Sequence, residues 1–258
     1  MRILHLGDQA GSAALLSHEC SRLGHPSHVI QDDSIETFYH GKYYKNTVYC
    51  DIQDIIKNEH DYVNHVVYHD QFALAQIHNH LHIPSSYIFH GNMLRQDPSK
   101  FETIANLESI ENIFVTTEDM LEYAPGAELF TRPVDMDLFR PMDLVKHNVP
   151  LCLTQARYFE VIRRIYNGGT GMFLVDRIKN LTSYRFMPML LNSYRGYIDL
   201  KFQPTHPPTL IPELSQTGLQ ALACGIPVVG WNMSIHRVLP KRHYAENVAR
   251  EFIRVLQE

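Results

Sequence analysis

Cysteine is scarce and scattered along the chain. The 258 residues include only Cys20, Cys50, Cys152 and Cys224, and no two of them form a CxxC pair. Neither a zinc knuckle nor a disulfide framework is implied, and a reducing compartment fits best. Long apolar runs are also missing, because no stretch approaches the ~18 residues that a membrane span requires. Met1 leads within two residues into an apolar strand, without the charged start, long apolar middle and small-residue cleavage site of a secretory signal. The expectation is a cytoplasmic protein without a transmembrane segment, in which the sequon Asn180-Leu181-Thr182 stays unused. A basic excess is lacking too. Lys and Arg number 23 against 28 Asp and Glu, a formal net charge of -5, so nucleic acid is not an expected partner. With 45% hydrophobic and 20% charged residues, the composition excludes a fibrous repeat and long disorder.

What is present is an alternation of strand-like and helix-like segments. The opening "MRILHLGDQAGSAALLSHECSRLGH" reads as a short strand, a loop with Gly7 and Gly11, and a helix ending near Gly24. Extended runs recur at Val63 to Tyr68, Ser86 to Phe89 and Asn112 to Val115, with helical stretches at Gln71 to His80 and Glu118 to Tyr123. Pro133, Pro141 and Pro150 punctuate a crossover. A second cycle follows, with strands at Leu151 to Gln155, Met172 to Val175, Gly196 to Phe202 and Val228 to Gly230, and helices near Phe159 to Tyr166, Pro188 to Ser193 and Thr217 to Cys224. This pattern predicts an α/β chain of two Rossmann-like domains, residues 1–141 and 142–258. The amphipathic final helix, Ala245 to Gln257, is free to pack back on the first domain.

In the second cycle, "QPTHPPTLIPELSQTGLQALACG" takes a Pro-rich loop directly into a helix. The backbone N–H groups of Ser215, Gln216 and Thr217 at such a helix start, together with the helix dipole, suit an anion such as phosphate.

Three stretches, "HGNMLR" (His90 to Arg95), "PVDMDLF" (Pro133 to Phe139) and "ELSQTGLQALACGIPVV" (Glu213 to Val229), stand in this order. They resemble the marker motifs of family 4 retaining glycosyltransferases, whose GT-B fold sets two Rossmann-like domains facing a cleft. The resemblance implies a nucleotide diphosphate sugar, GDP- or UDP-linked, as donor and a glycan or glycoprotein as acceptor. It implies an acceptor-side first domain, a donor-binding second domain, and neither metal nor cofactor. Residue by residue, it implies that His90 is the active-site histidine and that Glu213 meets the donor sugar hydroxyls. Ser215, Gln216 and Thr217 would meet phosphate or ribose, and Gln220 the ribose. Arg157 and Arg163 would hold the diphosphate, with Arg164 competing with Arg163, while Gly11, in a loop bordering the acceptor and the transferring sugar, would contact the donor and Arg95 is a weaker candidate. Two departures stand out: Gln220 replaces a glutamate, and Glu213 is one residue closer to it than the family spacing.

Two other patterns imitate metal sites. Asp135-Met136-Asp137 spells a DxD, but within the "PVDMDLF" match, and His78, His80 and His82 alternate as on a strand face. Three alternatives to a transferase stay open: a nucleotide-sugar epimerase, a phosphorylase, and a non-catalytic nucleotide-sugar or carbohydrate-binding protein descended from a transferase.

Overall fold

The computed structural model describes residues 1–8, 11–31, 44–49, 63–153, 184–201 and 210–258. The chain forms two compact units, one of Met1–Pro133 with Arg242–Glu258 and one of Val134–Lys241. Strands of the first unit are β1 (Ile3–Leu6), β2 (Ser27–Gln31), β3 (Thr47–Tyr49), β4 (His65–His69), β5 (Ser85–Phe89), β6 (Ile110–Val115) and β7 (Glu128–Leu129). Its first helices are α1 (Ser12–Arg22), α2 (Phe72–His78), α3 (Asn92–Gln96) and α4 (Ser99–Ala105). The second unit carries β8 (His147–Leu151), α5 (Met187–Asn192), β9 (Tyr194–Ile198), α6 (Gln216–Ala223), β10 (Val228–Val229) and β11 (Ile235–His236). The last helix, α7 (Ala245–Val255), belongs to the first unit.

The first sheet has seven strands in the order β3-β2-β1-β4-β5-β6-β7, all paired in parallel. A parallel sheet is covered on both faces, so its central strands β1, β4 and β5 are buried along their whole length rather than alternating. One face packs Leu4, Leu6, Val66, Tyr68, Tyr87 and Phe89 against Leu94, Ile104 and Met120. The opposite face packs Ile3, Val67, Ile88 and Phe114 against Leu16 and Cys20 of α1 and Val248, Phe252 and Ile253 of α7. The apolar stripe of α7, Ala245, Val248, Ala249, Phe252 and Ile253, has the three-and-four spacing of one helix face. The ion pairs Glu246–Arg250 and Glu251–Arg254 lie on its solvated side and contribute little.

The second sheet has the order β11-β10-β9-β8, with β8, β9 and β10 parallel and β11 antiparallel at the edge. This edge strand was not expected; a two-residue strand leaves almost no periodicity to read. The crossover from Val134 onward packs within the second unit. Asn192, fully buried, accepts from the Met142 N–H and donates to the carbonyls of Arg140 and Pro188, which ties the crossover to α5. Phe139 packs edge-on to Tyr184 in the same unit. Buried contacts of this kind outweigh the prolines that mark the segment as a linker. Among the described residues no helix is long and apolar enough to cross a membrane.

Phe252 tests the role of α7, since its ring meets Phe114 and Phe130 at 5.9 Å and is 2% exposed. Phe252→Ala should lower stability by about 3–5 kcal/mol, read as a fall in the urea midpoint at unchanged slope. A loss below about 1 kcal/mol would mean that α7 is not part of the first core.

Candidate functional site

In a doubly wound sheet, ligands gather at the carboxyl ends of the strands where the strand order reverses. Here the reversal lies between β1 and β4, because the chain runs outward through β2 and β3 and then returns to the other side of β1. Four polar residues collect at that edge: Asp8 after β1, His69 and Asp70 at the end of β4, and His90 after β5. Asp8, His69 and Asp70 are buried, and His90 is partly exposed.

The loop after β1 is shaped by a close approach. Gly7 has φ 81°, and a Cβ there would stand 2.4 Å from the Gln71 amide nitrogen. Gly11, at φ 75°, begins α1 without a side chain to cap it. Asp8 takes over, accepting from the N–H groups of Ala13 at 3.2 Å and Ala14 at 3.4 Å. Its charge suits the positive end of the helix.

Asp70 is the strained member. Its φ of 55° places a non-glycine residue in the left-handed region, where aspartate and asparagine are tolerated best. The carboxylate accepts the His90 backbone N–H at 3.1 Å, which fixes the turn after β5 from the end of β4. Burial pushes the Asp70 carboxyl up to about 6, against the lowering by that N–H and by Lys100. Strain and a raised carboxyl pKa together at a strand's carboxyl edge are marks of a functional position.

Below the edge, three histidines form a chain across the sheet. His5 Nδ1 is 3.0 Å from His69 Nε2, and His69 Nδ1 is 2.7 Å from His90 Nε2. Register explains the staircase: His5 stands level with Val67, and His69 level with Ile88, so each histidine lies one pleat above the last. Burial lowers all three pKa values, to about 3 for His5, well below normal for His69 and about 4 for His90, where the Arg132 charge adds to the effect. All three rings are neutral at physiological pH.

Arg95 is a structural group. Its guanidinium donates from Nε to Asp119 Oδ2 at 2.7 Å and from the terminal nitrogens to Asp119 Oδ1, Thr117 Oγ1 and the Gly91 carbonyl. Burial alone would raise the Asp119 carboxyl, but the hydrogen bonds from Arg95 and Thr117 outweigh it and hold the group below its usual range. The pair thus pins the His90-Gly91 turn from the side of β6.

In the second unit, the expected donor residues Glu213, Ser215, Gln216, Thr217 and Gln220 lie together on one loop and helix, α6. Ser215 is its N-cap, with Oγ accepting from the Gly218 N–H at 3.1 Å. The Ser215 N–H, expected to be free for phosphate, is not. It donates to Asp199 at the carboxyl end of β9, and the Ser215 hydroxyl donates to the same carboxylate at 2.7 Å. Gly218 leaves room for this carboxylate, since a Cβ there would come within 2.2 Å of Asp199 Oδ2. The Thr217 hydroxyl bonds Tyr197, whose own hydroxyl is pushed up by burial and then by Asp199 and Cys152. Gln220 is buried at 4% exposure and Glu213 is half-buried.

No protein-family model matches the chain, and no curated protein sequence matches it. Solved structures do. The chain is similar to an α-glucosyltransferase in complex with UDP and a mismatched DNA, at 12% identity and TM-score 0.58, covering 100% of this chain and 90% of that one. It is similar to Anabaena HepE in complex with UDP, at 12% identity and TM-score 0.52, with 100% and 90% covered. The spinosyn rhamnosyltransferase SpnG, in complex with thymidine diphosphate, gives 10% identity, TM-score 0.51 and coverage of 100% and 92%. The fold is that of the GT-B glycosyltransferases.

On this GT-B chain, Arg157, Arg163 and Arg164, the expected strand at Met172 to Val175, the helix near Phe159 to Tyr166 and the sequon at Asn180 lie outside the described residues. The DxD is an Asx turn, in which Asp135 Oδ1 accepts from the N–H groups of Asp137 and Leu138 at 2.9 Å. His78 ends α2 and faces the Tyr68 hydroxyl at 3.3 Å, and His80 lies in the following 3-10 turn, so the alternating histidines do not line a strand face. Sequence reasoning missed Asp8, Asp70, His69, His5 and Asp199. The signals were "HLGD" and "YHDQ", each an apolar strand ended by an acid.

Asp70→Asn separates the cost of this site from its use. Asparagine accepts the left-handed φ and can still take the His90 N–H, but carries no charge. Because the folded Asp70 pKa is raised, the native state binds more protons than the unfolded chain between about pH 4 and 6, so stability falls as pH rises through that window. Denaturant titrations should find Asp70→Asn more stable than wild type above pH 6, with a flatter profile between pH 4 and 6. Lower stability of the variant at pH 7.5 would contradict the burial of a charged Asp70.

Proposed function

We propose that the protein is a glycosyltransferase that moves a hexose from a nucleotide diphosphate sugar, UDP- or GDP-linked, onto a hydroxyl of a glycan or other acceptor, with retention and without metal. The observation that carries this reading is the strained Asp70–His90 pair at the strand-order reversal of a GT-B sheet. Structures sharing the fold have been solved with UDP and with thymidine diphosphate, which supports a pyrimidine nucleotide among the donors to be tried first.

In this proposal the first unit serves the acceptor and the transferring sugar, with Gly11 and His90 as contacts. The second holds the nucleotide through Glu213, Gln216, Thr217 and Gln220. The acceptor oxygen bonds the anomeric carbon as the bond to the diphosphate oxygen breaks, and the acceptor proton passes to the leaving phosphate. No enzyme nucleophile is required. Negative charge grows on the phosphate, so cations and oriented N–H groups dominate catalysis. Arg157 and Arg163 carry that role by their resemblance to the family's diphosphate residues.

One observation favours a second reading, a nucleotide-sugar-binding protein without turnover. Asp199 already places a carboxylate at the start of α6, where a leaving diphosphate would otherwise be held.

His90→Ala should lower the rate of sugar transfer ~10²–10³-fold, the range for loss of one oriented donor, while nucleoside diphosphate affinity stays within about twofold by calorimetry. Equal losses in binding and rate would move His90 out of the reacting region. Transfer should persist in excess EDTA, and activity abolished by EDTA and restored by manganese would overturn the metal-independent mechanism.

A further inference from the structure

We propose that His5 and His69 are positioning residues that fix His90 in the tautomer bearing its proton on Nδ1, so that His90 meets its ligand as a neutral hydrogen-bond donor and not as a base. The proposal rests on the transferase reading only for the identity of that ligand, a sugar hydroxyl or phosphate oxygen. The tautomer itself follows from the apoprotein.

Each link of the chain joins two ring nitrogens, His5 Nδ1 to His69 Nε2 and His69 Nδ1 to His90 Nε2. A hydrogen bond between two nitrogens needs one N–H and one lone pair, and a neutral imidazole has one of each. His69 is bonded through both nitrogens, so it must donate on one side and accept on the other. The protons of the whole chain therefore point the same way, and only two arrangements exist. In one, His5 Nδ1 donates to His69, His69 Nδ1 donates to His90 Nε2, and the remaining His90 proton is on Nδ1. In the other every proton is reversed, His90 Nδ1 is a lone pair, and His5 must carry its proton on Nε2.

The far end of the chain decides between them. His5 is fully buried, and its Nε2 has no hydrogen-bond partner among the described residues. The Phe252 ring of α7 stands 6.2 Å from the imidazole, on the apolar face of the sheet. Orphaned buried backbone N–H groups are rarer in proteins than under-satisfied carbonyls, and the same preference applied to this ring nitrogen favours a lone pair over an N–H. The lone pair is the form that this end tolerates, so the protons run from His5 toward His90. A cationic ring would break the rule of one N–H per ring. Burial opposes it throughout, joined by His28 and His65 against His5, and by Arg132 against His90.

At the other end His90 is partly exposed, and among the described residues Nδ1 takes no protein partner. An N–H there is matched to an oxygen lone pair. It is not matched to removing a proton from an acceptor hydroxyl, which leaves the departing phosphate to receive that proton.

The test uses the full chain labelled with 15N-histidine, read by two-bond 1H–15N correlation at pH 7.5, with signals assigned by single substitutions of His69 and His90. The expected pattern is a pyrrole-type Nδ1 and a pyridine-type Nε2 for both His69 and His90. A proton on Nε2 of His90, or an imidazolium pattern, overturns the proposal. His5→Leu should then convert His90 into a mixture of tautomers, and His5→Asn, whose amide nitrogen stands where Nδ1 stood, should restore the single form. An unchanged His90 tautomer in a folded His5→Leu protein would show that the chain does not set it. Should His5→Leu fail to fold, the wild-type spectrum alone decides. The expected tautomer in a protein that turns over no nucleotide sugar would retain this proposal and remove the transferase reading.

Discussion

The pairing of β1 with β4 is the constraint on which the first unit depends. It joins two strands that are not consecutive, and so creates the only reversal of strand order in the described seven-stranded sheet. Its register sets His5 opposite Val67, which puts His69 one pleat higher and within reach of both His5 and His90. A shift of that register by one residue would turn His5 to the opposite face and break the chain of imidazoles. The stacking of the three imidazoles thus traces back to the register of β1, β4 and β5.

Both units treat a helix start at a strand's carboxyl edge in the same way. Asp8 accepts the early N–H groups of α1, and Asp199 accepts the Ser215 N–H at the start of α6. Glycine accompanies each: Gly7 gives way to Gln71, and Gly218 to Asp199 itself. These carboxylates satisfy donors that a Rossmann helix otherwise offers to an anion, and Asp199 adds negative charge where a diphosphate is expected. A donor bound here has to be held by cations elsewhere or by displacing Asp199. In the proposed mechanism that cationic role falls to Arg157 and Arg163.

The fold was legible in the sequence because parallel strands buried on both faces are built on short apolar runs, such as Val66-Val67-Tyr68 in β4, Tyr87-Ile88-Phe89 in β5 and Ile3-Leu4 in β1. The short edge strands β7 and β11, of two residues each, left no pattern to find. The family motif put His90 after a strand, and the break from prolines into small residues put Ser215 to Gln220 at a helix start, and the structure has these positions. Asp70 was not legible. Its significance lies in a left-handed φ and in a partner 20 residues away, and neither leaves a mark on local composition. The histidine chain was hidden for the same reason, since residues 5, 69 and 90 meet only through strand order. Arg95 went the other way: its place in a motif suggested a ligand, and the structure gives its guanidinium to Asp119, Thr117 and Gly91.

The proposed function is transfer of a sugar from a nucleotide diphosphate by this GT-B chain. It is tested most directly by incubating the protein with UDP-, thymidine diphosphate- and GDP-sugars in the presence of a mixed hydroxyl acceptor library, with mass detection of all products. Free nucleoside diphosphate is expected in step with an acceptor heavier by one anhydrohexose. Conversion of the donor to an isomeric nucleotide sugar without acceptor, or tight nucleotide binding with no product from any donor, would contradict it.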